Sequence, residues 1–312
     1  MRPPCRWCCS SLQQHSRCCS FIFQRSGYIM KQSRLLKNQT ASVFLYLLLI
    51  LVAVIMFFPI MWIISSSFKS LVEINAYPPR LFTRHPKFSN YWQVISKPAI
   101  WLYLRNTLIL IVGNTVGTLL SSSLVAYPLA RMHFRGEKVV FALILATMMV
   151  PATTTIIPQY LLFSRLRWLD TPLPMIIPAF FAYPYNVFLF RQFFKSIPKS
   201  MDEAALIDGC NRFQIYAKIF VPLSKSTFIT IGILSSVFWW NELFQPLIYI
   251  NSEVWKTLTV GALTTFKMAG SFVTQWNITM AMSTLMIIPP ILLYLIGQKY
   301  IIAGIKTSGM KD

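Results

Sequence analysis

Acidic residues are scarce in this sequence, and the motifs of nucleotide hydrolysis and metal-dependent catalysis are missing. The 312 residues include nine Asp and Glu against 29 Lys and Arg. No glycine is followed by lysine, so the G-x-x-x-x-G-K-[ST] phosphate loop is lacking and the chain is not an ATP hydrolase. Neither H-E-x-x-H nor G-x-S-x-G occurs, and His15, His85 and His133 stand outside the apolar segments. We therefore expect no enzyme, no catalytic residue, no metal site and no cofactor.

The sequence is rich instead in long apolar segments. Hydrophobic residues make up 55% of the chain, which is high for a soluble domain. A helix needs roughly 20 apolar residues to cross a bilayer, and six segments approach or exceed that length. We predict an all-α integral membrane protein with six transmembrane helices, at Val43–Ile64, Thr107–Ala130, Val139–Leu162, Leu173–Phe190, Phe228–Ile250 and Ile278–Gly297.

The net charge of +20 is distributed between these segments rather than along one face. If the N-terminus lies in the cytoplasm, 19 of the 29 basic residues fall in cytoplasmic segments. Because basic residues resist translocation, this asymmetry favours an orientation with both termini inside. The lipid bilayer, and no nucleic acid, is the partner that this charge indicates.

The first thirty residues differ in composition from the rest. They contain five of the six cysteines, and the spacing of these cysteines matches no tetrahedral metal pattern. A targeting peptide is one alternative, although a continuous apolar core of signal-peptide length is missing. The interpretation we favour is that residues 1–30 are an atypical Cys- and Arg-rich extension, that translation starts at Met30, and that residues 31–312 form the membrane domain.

A polar segment from Pro198 to Ser224 interrupts the apolar second half of the chain. Ser200 precedes Glu203 by three residues, which is the spacing of a capping box, and predicts a helix over Met201–Ile207 that starts at Ser200. Gly209 can take the left-handed backbone that ends a helix. Asn211 can cap a second helix, with Gln214 three residues on, which Pro222 is expected to stop. We predict two short amphipathic helices on the cytoplasmic side between spans 4 and 5; such a pair can also be a plain interfacial loop.

The spacing within this segment resembles a family pattern. Glu203-Ala204-Ala205 is followed by three residues, then Gly209, then nine residues, then Ile219-Phe220-Val221-Pro222. This resembles the EAA loop of importer-type ABC transporter permeases, with Val221 in the place of leucine. The resemblance implies that Glu203, Ala204, Ala205, Gly209, Ile219 and Pro222 couple the chain to a separate ATPase subunit.

Further stretches resemble the maltose-type carbohydrate importers, specifically their second, six-span permease. They are FSNYWQVI from Phe88, LRNTLIL from Leu104, the segment from Met149 to Pro178, WNELFQPL from Trp240 and the tail from Gly297. The resemblance implies a multi-pass protein of the bacterial plasma membrane that forms half of a sugar pathway. Its implied partners are an ABC ATPase dimer, which binds the ATP and Mg, a second and different permease, and an extracytoplasmic sugar-binding protein. Import of another solute, such as a glycerol phosphate, stays open.

Trp240, Asn241 and Glu242 are candidates for the substrate pathway. A carboxylate within a span costs roughly 2.5–3.5 kcal/mol on insertion scales, so Glu242 should face protein or a water-filled route. Aromatic rings suit the apolar faces of sugars, and amides and carboxylates suit hydroxyls. The alternative is that Asn241 and Glu242 hold span 5 to a neighbouring helix or loop. A stand-alone channel or secondary transporter would need internal ion sites, for which one acid is thin support.

Overall fold

The computed structural model describes residues 42–265 and 275–309, with only the backbone of residue 152 and residues 301–309. The extension predicted over residues 1–30 lies outside these ranges. The chain divides into two units, Met1–Trp62 and Ile63–Asp312. In the first unit, the described residues belong to helix α1, Ser42–Ser67, where the rings of Phe58 and Trp62 contact each other.

In the part of the second unit that the structure describes, the regular secondary structure is helical and no strand occurs. This agrees with the predicted all-α class. The helices are α2 Leu71–Ile74, α3 Ser89–Ile95, α4 Pro98–Arg131, α5 Glu137–Thr147, α6 Ala152–Arg165, α7 Leu173–Ile176, α8 Pro184–Ser196, α9 Ser200–Ile207, α10 Arg212–Ile215, α11 Val221–Leu223, α12 Lys225–Asn241, α13 Phe244–Tyr249, α14 Leu258–Thr264 and α15 Trp276–Gly309; a 3-10 turn at Ile177–Phe181 follows α7, and a π-helical turn at Tyr216–Phe220 follows α10.

Four of the described helices are long and apolar enough to cross a membrane: Ser42–Ser67, Pro98–Arg131, Leu173–Ser196 and Trp276–Tyr300. A fifth is reached if Arg212–Leu223 and Lys225–Asn241, which meet at 75°, count as one bent span. The structure therefore supports several membrane helices but does not reproduce six uninterrupted spans.

Proline explains why two predicted spans are broken. Span 3 divides into α5 and α6 because Pro151 has no N–H for the carbonyl of Thr147, where α5 ends. Span 5 divides in the same way, since Pro246 has no N–H for the carbonyl of Glu242. That carbonyl accepts instead from the Thr259 hydroxyl at 2.8 Å.

Helix α4 lies at the centre of the second unit and packs against α8, α12, α14 and the 3-10 turn. Its Gly113 and Gly117, spaced as G-x-x-x-G, allow α7 and the 3-10 turn to approach it closely. A Cβ atom on Gly117 would lie 2.9 Å from the Phe180 ring. A displacement of α4 would therefore also displace α8 and α12, the helices that precede and follow the coupling segment. We define the coupling segment as residues 198–224.

Candidate coupling site

The coupling segment folds into two short helices joined at Gly209, as predicted. Gly209 has φ of +80°, the left-handed backbone that ends α9. The side chain of Asn211 accepts from the Gln214 N–H at 2.8 Å, and Gln214 Oε1 accepts from the Asn211 N–H at 2.9 Å. This reciprocal capping box at the second helix confirms the prediction made from the spacing.

The first helix starts differently from the prediction. Ser200 is its first helical residue, and the capping position falls on Lys199, whose side chain makes no cap hydrogen bond. The backbone N–H groups of Asp202 and Glu203 donate to the Lys199 carbonyl instead. The expected Ser200–Glu203 capping box is therefore wrong, because Pro198 lets the helical turn begin one residue earlier and Ser200 lies inside it.

Pro222 does not stop the second helix, contrary to expectation. The chain widens into the π-helical turn, in which the N–H of Val221 donates to the carbonyl of Tyr216 five residues back. This wider turn accommodates a proline that a regular helix would exclude. The helix then continues to Leu223 and breaks at the buried Ser224, where α12 begins at a sharp angle.

One face of the coupling segment is buried against the ends of α4 and α8. Phe220 packs edge-on to Tyr127 and Phe194, with ring centroids 5.1 and 5.4 Å away. The Tyr216 hydroxyl hydrogen-bonds Ser123 of α4 at 2.7 Å. Ile215 and Ala205 complete this cluster. The segment is thus anchored to the membrane helices rather than lying loosely at their surface.

The predicted coupling residues divide between this buried face and the opposite one. Glu203, Ala204, Gly209 and Pro222 are exposed, and Ile219 is half-buried, whereas Ala205, which we expected beside Ala204 at a partner surface, is only 5% exposed and packs inside the chain's own core. Residues with no part in the sequence pattern enlarge the exposed face. Ile207 is 86% exposed and Phe213 is 68% exposed.

An ion pair that sequence reasoning missed ties the segment to α4. Arg131 Nε lies 3.1 Å from Asp202 Oδ2, and the two side chains are 3% and 11% exposed. Arg131 also donates to the carbonyls of Ile197 and Pro198, at 2.8 and 3.1 Å. Its guanidinium carbon lies 4.8 Å from the centroid of the Phe220 ring. The only sequence signal for this pair was a basic residue at the end of an apolar span and a carboxylate in the next polar segment.

Burial raises the pKa of the Asp202 carboxyl, and the positive charges of Arg131 and Arg212 oppose that rise. A carboxyl whose pKa is raised on folding favours the folded state at low pH and loses that contribution as pH rises through its folded pKa. The positive charge of Arg131 limits this loss. Taking away one partner of a buried ion pair costs about 3–5 kcal/mol, so each of these residues depends on the other.

The three pathway candidates lie where α12 ends. Trp240 is buried, and its indole N–H donates to the carbonyl of Met286 at 3.0 Å. Asn241 is exposed, and its amide donates to the carbonyl of Val237. Glu242 is half-buried and accepts from the N–H of Gln245 at 2.9 Å, at the start of α13. Only the Trp240 contact joins two helices, α12 and α15, whereas the side-chain contacts of Asn241 and Glu242 are local. The pathway role and the anchoring role of Asn241 and Glu242 both stay predictions.

Comparison with known proteins supplies the identity of the chain. The family model described as "Binding-protein-dependent transport system inner membrane component" matches residues 113–307, which include the whole coupling segment. The chain belongs to this family. Its described residues include no group of three or more His, Cys, Asp and Glu placed to hold a metal ion.

Relatives of this permease share nearly its whole length. The arabinooligosaccharides transport system permease protein AraQ of Bacillus subtilis is 32% identical over 271 residues, which cover 86% of this chain and 95% of the relative. The sulfoquinovosyl glycerol transport system permease protein SmoH of Agrobacterium fabrum is 31% identical over 255 residues, 81% and 88% of the two chains. These relatives are transport permeases for sugars and sugar derivatives, not enzymes.

A solved structure has a similar fold. It is a bacterial ABC transporter involved in the import of the acidic polysaccharide alginate. The similarity has a TM-score of 0.76 at 28% identity and covers 85% of this chain and 97% of the other. The resemblance to sugar-importing ABC permeases noted from the sequence is therefore confirmed.

Proposed function

We propose that the chain is one permease half of an ATP-driven sugar importer in the bacterial plasma membrane. It would pair with a second, different permease, and an extracytoplasmic binding protein would deliver the sugar to the outer mouth. ATP binding would close a separate ATPase dimer, which pulls on the coupling segment and turns the helices from inward- to outward-facing. Six crossings with both termini inside, as predicted from the sequence, would put that segment in the cytoplasm. The sugar-transporting relatives favour a sugar over a glycerol phosphate.

One observation carries this proposal: the coupling segment is fixed on one face and exposes large apolar side chains on the other. Its inner face is held by Arg131, Tyr216 and Phe220, while Ile207 and Phe213 project outward on either side of Gly209. Exposed apolar side chains grouped on a polar segment are typical of a protein contact. A separately made subunit with an apolar cleft would complete the surface.

The experiment is affinity purification of the chain from native membranes in mild detergent, with the ATPase activity of the eluate measured. We expect an ATPase subunit and a second permease to co-purify. Phe213→Ser should release the ATPase while the second permease is retained. The matched control is Phe134→Ser, an exposed phenylalanine in the α4–α5 connection, which should release neither. Purification of copies of this chain alone would contradict the proposal.

A further inference from the structure

Arg131 contacts three separate parts of the coupling segment and its approach. Its Nη2 atom donates to the carbonyls of Ile197 and Pro198, where α8 leads into the segment. Its Nε atom lies 3.1 Å from Asp202 Oδ2 in the first helix, as an ion pair without a hydrogen bond, and its guanidinium lies against the Phe220 ring in the π-helical turn. A single side chain therefore joins both helices of the segment to the last residue of α4.

We propose that Arg131 is the positioning residue that fixes the coupling segment to α4, so that a pull on the segment moves this central helix. The inference rests on the proposed function. The covalent routes from the segment lead through Pro198 into α8 and through Ser224 into α12, and the chain turns by 75° at Ser224. Neither route enters α4, and Arg131 adds a non-covalent route into this helix, which packs against α8, α12 and α14.

The coupling segment depends on its contact with Arg131 because of the environment of Asp202. Its Oδ1 atom is buried and has no hydrogen-bond partner among the described residues. Its other oxygen faces Arg131, with Arg212 as the weaker second positive charge. Without Arg131 the carboxylate would keep Arg212 alone as a positive neighbour, and the cost of a poorly compensated buried charge would favour its move out of this position. The first helix, with Ala204 on its surface, would separate from α4.

Arg191 provides a matched control within the same chain. It too is buried and donates to a backbone carbonyl, that of Leu129, at 2.8 Å. It too pairs with an acid, Glu137, at 3.2 Å and lies on a ring, that of Phe141. These contacts hold the connection between α4 and α5, and none of them involves the coupling segment. Replacement of Arg191 should disturb packing to a similar degree without releasing that segment.

The first readout is the rate at which N-ethylmaleimide labels Cys210, which lies half-buried just after α9 and packs on the buried cluster around Tyr216 and Phe220. Peptide-resolved mass spectrometry separates Cys210 from the cysteines of residues 1–30. In the co-purified complex we expect Arg131→Gln to raise the rate about tenfold, a factor that needs only about 1.4 kcal/mol. Arg131→Lys, which keeps the charge, should fall between Arg131→Gln and the unaltered chain. Arg191→Gln should leave the rate unchanged.

The second readout tests whether a nucleotide-driven movement reaches the far end of α4. Trp101→Cys places a thiol at the far end of this helix, where the side chain is exposed. ATP with vanadate should change its labelling in the complex, and Arg131→Gln should abolish that change while Arg191→Gln preserves it. If Arg131→Gln does not assemble, Asp202→Asn removes the other partner and leaves the buried charge of Arg131 unpaired. It should change both readouts in the same direction but less strongly, because Arg131 keeps its contacts with Ile197, Pro198 and Phe220.

An unchanged Cys210 rate in Arg131→Gln, or an equal rise in Arg191→Gln, would overturn the inference. A faster Cys210 reaction with the nucleotide response at residue 101 retained would also overturn the role of Arg131 in transmission. A complex that shows no nucleotide response at residue 101 even with Arg131 present would count against the coupling function itself.

Discussion

The indole N–H of Trp240 donates to the carbonyl of Met286, which has no partner within its own helix because the residue four positions on is Pro290. Helix α15 runs unbroken through Pro289 and Pro290, and α12 supplies a donor that the second proline removed. The sequence made Trp240 a candidate for the sugar route, and that role stays a prediction. The structure shows a residue on one helix compensating for a proline on another.

Trp240→Phe should therefore destabilise the protein by about 0.6–1.7 kcal/mol beyond the loss of packing, the range of interhelical hydrogen bonds in membranes. Pro290→Ala should reduce that cost, because alanine returns an N–H to the carbonyl of Met286. Thermal unfolding in detergent measures both changes and their coupling. Trp239→Phe is the control, since this buried neighbour makes no indole hydrogen bond among the described residues. Additive effects of Trp240→Phe and Pro290→Ala would disprove the compensation.

Substitutions at Gly209 and Gly136 distinguish the cost of a strained backbone from the loss of a coupling role. Both have left-handed φ angles, +80° and +90°, and a Cβ atom at either would meet nothing within 4 Å. A valine at either position should cost a similar amount, of the order of 1–2 kcal/mol for a left-handed residue. We expect only Gly209→Val to uncouple ATP hydrolysis from uptake, since it changes the angle between the coupling helices. Uptake assays at equal membrane expression decide the question, and normal uptake by Gly209→Val would refute this expectation.

Gly117 and Gly232 test the close packing of α4. A Cβ at Gly117 would lie 2.9 Å from the Phe180 ring, whereas one at Gly232 would lie 3.7 Å from Leu119 and Thr115. Gly117→Ala should therefore destabilise the fold by about 1–3 kcal/mol, the usual cost of overpacking. Gly232→Ala should be neutral or slightly stabilising, because alanine is the better helix former. Equal melting temperatures for the two variants would show that α4 packs less tightly than described.

Asp170 lies in the connection between α6 and α7 and hydrogen-bonds the connection between α13 and α14. Both connections lie outside the membrane helices. Its Oδ1 accepts from the backbone N–H groups of Ser252 and Asn251, at 2.8 and 2.9 Å, and these bonds lower its pKa. Stability from a carboxyl with a lowered pKa is present above its unfolded value, about 3.9, and is lost as pH falls through the folded pKa. Asp170→Ala should lower the melting temperature from pH 5 to 8, and the difference from the unaltered chain should shrink below about pH 4. A difference that does not change with pH would exclude the carboxylate as the cause.

The elements that local chemistry determines were predictable from the sequence. The Gly209 turn and the Asn211 capping box depend on a few neighbouring residues, and the structure has both. The ends of the broken spans were missed for a reason that is also local. Composition marked Val139–Leu162 and Phe228–Ile250 as continuous apolar segments, while Pro151 and Pro246 remove backbone donors and end the preceding helices.

Contacts between distant parts of the chain could not be predicted in this way. Nothing in the spacing indicates that Arg131 lies on Asp202, or that Ala205 faces inward while Ala204 faces outward. The sequence of a short helix shows which residues share a face. Which of its faces is buried depends on the neighbouring helices that it packs against. For the same reason the sequence pattern omits Ile207 and Phe213, the two most exposed apolar side chains of the coupling segment.

Cysteine crosslinking at Ala204 tests the central claim most directly, because Ala205 beside it is an inward-facing control. Ala204→Cys, in native membranes treated with a short bifunctional thiol reagent, should crosslink to an ATPase subunit, and ATP with vanadate should change the yield. Ala205→Cys should give little product, since that side chain is 5% exposed. The account predicts a crosslinked ATPase from position 204; its absence from position 204, with the reagent shown to react there, would contradict it.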